Sequence, residues 1–173
     1  MAASAQPPDS LPGGSAPFVL ADAAATRALG GRLARRILTE CRPDRAPLLL
    51  LQGDLGAGKT CLVQGLADGL GIREPVTSPT FALAQHYSGR LEQGPQAGRT
   101  TALVHLDLYR LEPAAADELL AQEEEEARNL GALLAVEWPE RLSAPPAEAW
   151  WLELHLADPN APEAGRLAEL RST

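Results

Sequence analysis

Lysine is almost missing from this chain: Lys59 is the only one among 173 residues, so the other basic groups are scattered arginines. Asp and Glu outnumber Lys and Arg by 23 to 15, giving a formal net charge of −8. A field of that sign repels a phosphate backbone, so any direct grip on nucleic acid would need a locally basic face. Aromatic residues make up only 4%, while the hydrophobic fraction of 45% is ordinary for a globular chain, so Leu, Ala and Val must fill most of the core. The two cysteines, Cys41 and Cys61, form no Cys-x-x-Cys pair and no Cys/His cluster. That excludes a disulfide framework and a zinc site, and it fits a reduced, intracellular setting. No apolar stretch approaches the roughly 18 residues that a membrane-spanning helix needs. No basic residue precedes Arg27, so no secretory signal is expected and the cytoplasm is the expected location.

A chain of this length fits one compact domain, because it can bury about two thirds of the surface exposed when unfolded. Residues 1–17, rich in Ala, Pro, Ser and Gly without apolar periodicity, read as a flexible leader. Residues 18–157 read as the folded domain, and residues 158–173 as a C-terminal tail in which Pro162 to Leu170 form a short closing helix. Within the domain, Asp22 is placed to cap a helix from Ala23 to Cys41 with Leu29, Leu33 and Ile37 on one face. Short apolar runs predict strands over 47–51, 80–87, 101–109, 130–136 and 150–156. Pro113 opens a helix running to Arg128, and the run Glu123 to Glu126 reads as its solvated face. Strands interleaved with helices imply an α/β class, a three-layer fold with a partly parallel, mixed central sheet.

The segment Gly53, Asp54, Leu55, Gly56, Ala57, Gly58, Lys59, Thr60 matches G-x-x-x-x-G-K-[ST] in full, between an apolar strand and a helix ending near Gly69 to Gly71. In that context the glycines let successive N–H groups converge on a β-phosphate, and the helix N-terminus adds partial positive charge. Lys59 then reaches the β- and γ-phosphates, and the Thr60 hydroxyl can ligate Mg²⁺. The fold expected is therefore a P-loop NTPase fold, with ATP and Mg²⁺ as cofactors. No Asn-Lys-x-Asp tetrapeptide for reading guanine occurs anywhere, which favours ATP over GTP.

Such a loop needs a second carboxylate near Thr60 to hold Mg²⁺, at the carboxyl end of a neighbouring strand. Asp107 and Glu137 both stand at the end of an apolar run, and both are candidates. The segment Thr77, Ser78, Pro79, Thr80 reads either as a plain turn or as a switch whose hydroxyls contact a γ-phosphate or Mg²⁺.

Four motifs in order, Gly-Asp-Leu-Gly-Ala-Gly-Lys-Thr, Ser-Pro-Thr-Phe, His-Leu-Asp-Leu-Tyr-Arg-Leu and Val-Glu-Trp-Pro-Glu-Arg, closely resemble the TsaE (YjeE-type) family over residues 18 to 157. The resemblance implies Thr60 and Glu137 as Mg²⁺ ligands, Asp107 as the acid needed for hydrolysis, Thr80 in the switch-like loop and Trp138 beside the nucleotide. It further implies an accessory ATPase that joins the TsaB and TsaD proteins and supports repeated cycles of tRNA N6-threonylcarbamoyladenosine (t6A37) formation, meeting tRNA only indirectly. Cys61 stands where the family often carries a second Thr. Two rival readings stay open from sequence: a small-molecule P-loop kinase, and a scaffold that binds nucleotide without needing to hydrolyse it.

Overall fold

The computed structural model describes residues 17–42 and 44–172. All but the last residue of the expected leader lies outside them. In chain order the elements are β1 (Phe18–Leu20), α1 (Ala23–Glu40), β2 (Leu48–Gln52), α2 (Lys59–Gly69), β3 (Ala84–Arg90), β4 (Thr100–Asp107), α3 (Pro113–Leu130), β5 (Leu133–Glu137), β6 (Trp150–Leu156) and β7 (Arg166–Ser172). Short 3-10 turns cover Pro139–Arg141 and Pro162–Ala164. The seven strands form one sheet in the order β1-β7-β6-β2-β5-β4-β3. The middle four run parallel, while β3, β7 and β1 pair antiparallel. This is the mixed three-layer α/β fold expected from the alternation of elements.

Alternate residues of β2 explain why it sits at the centre. Leu49 and Leu51 pack under α1 and α2, whereas Leu48 and Leu50 face the layer built on α3. A strand buried on both faces needs an unbroken apolar run, and each fully buried leucine contributes about 1.5–3 kcal/mol. On α3, Ala116, Leu120, Glu123 and Ala127 form the buried stripe at helical spacing.

Three expectations are corrected. The strand expected from Thr80 begins only at Ala84, because the Leu83 N–H closes a turn on the Pro79 oxygen and Leu83 takes a left-handed φ of 67°. The closing helix expected over 162–170 is instead β7, seven residues paired with β6 and β1. Its Ala, Leu, Glu and Arg residues favour a helix locally, but an open sheet edge beside β6 outweighs that preference. The acidic run is not wholly a solvated face, for Glu123 is buried and bonds His86 Nε2 at 2.6 Å.

The caps follow the sequence. Asp22 Oδ1 accepts the Ala25 N–H at 2.7 Å to start α1, and left-handed Gly131 ends α3. The two helices over the P-loop side touch backbone to backbone: a Cβ on Gly65 would lie 2.1 Å from the Arg27 carbonyl oxygen. Gly65→Ala must therefore push α1 off α2, with an expected loss of about 2–3 kcal/mol. Urea unfolding checks this, and an unchanged midpoint would mean that the helices separate freely.

Candidate functional site

The phosphate loop spans the eight residues between β2 and the first turn of α2. Gly53 enters it at φ 151°, and a Cβ there would lie 2.4 Å from the Leu154 carbonyl oxygen. Only glycine satisfies both conditions. Gly58, also left-handed, is the N-cap of α2, so Lys59 and Thr60 are its first helical residues.

Lys59 is 5% exposed. Its Nζ donates to the Gly53 oxygen at 2.5 Å and the Asp54 oxygen at 3.0 Å, and it lies 4.0 Å from the centre of the Trp138 ring. Two carbonyls and a π face thus surround a largely buried cation. Trp138 holds a left-handed φ of 62°, uncommon for a bulky residue and costing about 1–3 kcal/mol, and it directly follows Glu137. That backbone turn brings the indole over the loop.

The two sequence-level carboxylates end adjacent parallel strands at the same level: Leu51 pairs with Glu137, and Glu137 with Asp107. Both are buried. Glu137 Oε1 accepts from Thr60 Oγ1 at 2.9 Å and lies 2.9 Å from His105 Nε2. A carboxylate can only accept, so the His105 proton sits on Nε2. Its Nδ1, also buried, is left without a partner among the described residues. Asp107 Oδ2 accepts from Thr80 Oγ1 at 3.0 Å and from Ser78 Oγ at 3.5 Å, while Oδ1 accepts the Tyr109 N–H at 2.9 Å. Ser78 and Thr80 hydroxyls lie 2.7 Å apart. The hydroxyl segment is therefore tied to Asp107 rather than being a free turn.

A cleft of about 400 Å³ opens between these groups, bordered by Gly56, Gly58, Lys59, Thr60, Asp107 and Glu137 among others. Of the residues singled out from the sequence for side-chain chemistry, Lys59, Thr60, Ser78, Thr80, Asp107, Glu137 and Trp138 border this one space, and Thr77 does not. A second hollow of about 240 Å³ lies on the other side of Gly58 and Cys61. Arg110 borders the cleft and stacks on Phe81 at 4.4 Å. Arg90 and Arg99 belong to the β3–β4 hairpin and do not border the cleft.

Among the described residues no cluster of three or more His, Cys, Asp or Glu side chains could hold a metal ion by itself. Thr60 and Glu137 supply a hydroxyl and a carboxylate, which suits Mg²⁺ when phosphate oxygens and water complete its shell. Sequence reasoning missed His105, although it lies two residues before Asp107 and so shares its face of β4. It also missed Arg166, whose guanidinium reaches two carbonyls of the loop.

A buried apolar strand, a glycine loop and a helix opening on Lys59, with two carboxylates level on the next strands, define a P-loop fold. A family model described as threonylcarbamoyl adenosine biosynthesis protein TsaE matches residues 20–164. The chain belongs to the TsaE family. It is 40% identical over 134 residues to the tRNA threonylcarbamoyladenosine biosynthesis protein TsaE of Synechocystis sp., covering 76% of this chain and 74% of that one. With the protein of the same description from Nostoc sp. it shares 46% identity over 102 residues, 58% of this chain and 57% of the relative. The crystal structure of Bacillus subtilus YdiB superposes with a TM-score of 0.58 at 22% identity, covering 91% of this chain and 86% of that one. That likeness is one of fold.

Burial lowers the Lys59 pKa from its usual 10.5, against the opposing pull of Glu137, Glu140, Asp107 and Asp54. The fold therefore holds this proton less tightly than the unfolded chain. Stability is reduced while Lys59 is charged and rises as pH climbs through the lowered pKa towards 10.5. Urea midpoints measured from neutral pH upward are expected to show that rise in the parent and not in Lys59→Met. Parallel pH curves for the two proteins would contradict it.

Proposed function

We propose that this chain is a P-loop ATPase that binds ATP with Mg²⁺ and hydrolyses it to ADP and phosphate in the service of tRNA threonylcarbamoyladenosine formation. The observation that carries the reading is the convergence of Lys59, Thr60, Asp107 and Glu137 on one cleft at the mouth of the phosphate loop. The comparisons add a family whose described role is threonylcarbamoyl adenosine biosynthesis.

In this reading the loop amides from Gly53 to Thr60 and the start of α2 bind the phosphates. Lys59 leaves the Gly53 and Asp54 carbonyls for phosphate oxygens, a stronger, charge-assisted partner. Thr60 and Glu137 hold Mg²⁺, which when bound neutralises charge on the β- and γ-phosphates. His105 fixes the Glu137 carboxylate by its bond to Oε1. Asp107 orients or deprotonates the attacking water. Thr80 and Ser78, now bonded to Asp107, form the switch: their release frees that carboxylate, and their hydroxyls then face the new charge. Trp138 walls the phosphate side of the cleft.

Among the described residues Arg110 is the one arginine bordering the cleft, and it is stacked on Phe81, so basal turnover is slow and rises on assembly with TsaB and TsaD. Leu55 and Phe81, 81% and 85% exposed beside the cleft, are the apolar groups such partners would cover. Contact with tRNA is indirect, in keeping with the net charge of −8.

Lys59→Ala is expected to abolish ATP binding in calorimetry, and an unchanged affinity would remove the basis of this reading. Asp107→Ala is expected to bind ATP and lose hydrolysis by on the order of a hundredfold or more, and to fail in reconstituted tRNA modification over many turnovers. Full modification by that variant would favour the nucleotide-dependent scaffold. Phosphate release without added acceptor separates the ATPase from a small-molecule kinase. Because Lys59 is the chain's only lysine, ATP should also shield the sole side-chain amine from acylation, a change read directly by mass.

A further inference from the structure

Arg166 opens β7, where it pairs with Leu20 of β1 and Leu156 of β6. Its guanidinium is spent on backbone carbonyls alone. Nε donates to the Ala57 oxygen at 3.1 Å and Nη2 to the Gly56 oxygen at 3.0 Å. Nη1 donates to the Pro162 oxygen at 2.5 Å and the Gly165 oxygen at 2.9 Å. Glu163 and Asp22 border the same hollow, yet among the described residues no carboxylate forms an ion pair with Arg166. The cation is thus braced by its own turn and pointed at the outer side of the phosphate loop.

A trans peptide carries its oxygen and its N–H on opposite edges. Holding the Ala57 oxygen outward therefore turns the Gly58 N–H inward, and holding the Gly56 oxygen does the same for the Ala57 N–H. The latter rests on the Asp54 oxygen at 3.0 Å in this state. Two bonds from one rigid planar fork fix two consecutive peptide planes, which a single-point donor such as lysine cannot do. The other end of the loop is held by the same hairpin, since Gly53 lies against the Leu154 oxygen of β6. The loop is gripped at its entry by β6 and at its turn by the first residue of β7.

We propose that Arg166 is a positioning residue of the phosphate site: by clamping the Gly56 and Ala57 carbonyls it pre-orients the loop amides for a polyphosphate, which makes the β6–β7 hairpin part of the nucleotide-binding apparatus. The proposal rests on the ATP-binding reading above. Pre-organisation of this kind acts on affinity for the phosphates more than on the chemical step, because Arg166 touches neither the attacking water nor the metal ligands.

The test compares the parent, Arg166→Ala and Arg166→Lys, with Arg171→Ala as control, since the Arg171 side chain, on the same strand, bonds only Glu153 among the described residues. Each is titrated by calorimetry with Mg-ATP and with Mg-tripolyphosphate, which has phosphates and no nucleoside, and each is assayed for KM and kcat. Arg166→Ala is expected to weaken both ligands by the same factor, about tenfold. KM should rise by that factor while kcat changes less, Arg166→Lys should recover only part of the loss, and the control should match the parent. If Arg166→Ala does not fold, the comparison rests on Arg166→Lys, which keeps the charge and lacks the fork. Unchanged tripolyphosphate affinity in the folded variant overturns the proposal, and so does a loss confined to ATP, which would make Arg166 a nucleoside contact. A parent that binds tripolyphosphate but not ATP sinks the ATPase reading alone, while one that binds neither sinks both.

Discussion

Hydrogen bonding between β2, β5 and β4 sets where the two carboxylates of the cleft stand. Parallel strands in matched register deliver their last residues to one level, so Leu51, Glu137 and Asp107 end side by side. A slip of one residue in β5 would turn Glu137 to the opposite face and bring Val136 or Trp138 into its place. The wholly buried leucines of β2 resist that slip, because their alternate side chains are committed to two different cores. The precision of the site is thus inherited from apolar packing several residues away from any charge.

Inside the cleft the polar groups satisfy one another in two short chains. Thr60, Glu137 and His105 form one, and Ser78, Thr80, Asp107 and the Tyr109 amide the other. Buried acids are costly unless they are hydrogen-bonded, and each is here bonded on at least one oxygen. The strained turns at Leu83 and Trp138 lie at the margins of these chains. Leu83 is tied to the second chain twice, since its oxygen accepts the Asp107 N–H at 3.0 Å and its own N–H bonds Pro79. A movement of the hydroxyl segment would therefore be felt by the backbone of Asp107 as well as by its side chain.

Much of this was legible in the sequence. The eight-residue loop motif, the apolar run before it and the carboxylates ending two later runs gave the fold class and drew together Lys59, Thr60, Asp107 and Glu137, while Trp138 came only from the family resemblance. What escaped is what depends on partners distant in sequence. The segment after Gly165 has helix-forming residues, and only the open edge of β6 makes it a strand. Arg166 looked like one more scattered arginine because its partners are carbonyls, which leave no signature in side-chain identity. Glu123 was hidden in an acidic run, and its burial follows from which face of α3 meets the sheet and from His86 across the gap. The length of the turn before β3 was misjudged because a left-handed leucine has no sequence mark.

The pairing of β1 with β7 has a consequence for synthesis on the ribosome. Among the described residues the first strand to emerge waits for the last, since β7 is its only described neighbour in the sheet. A nascent chain that stops short of Gly165 would carry the whole glycine-rich motif and yet lack both the edge that seats β1 and the outer brace behind Gly56 and Ala57. The outer brace would then form only once Arg166 has been made, and fragments released before that point would carry the loop without its support.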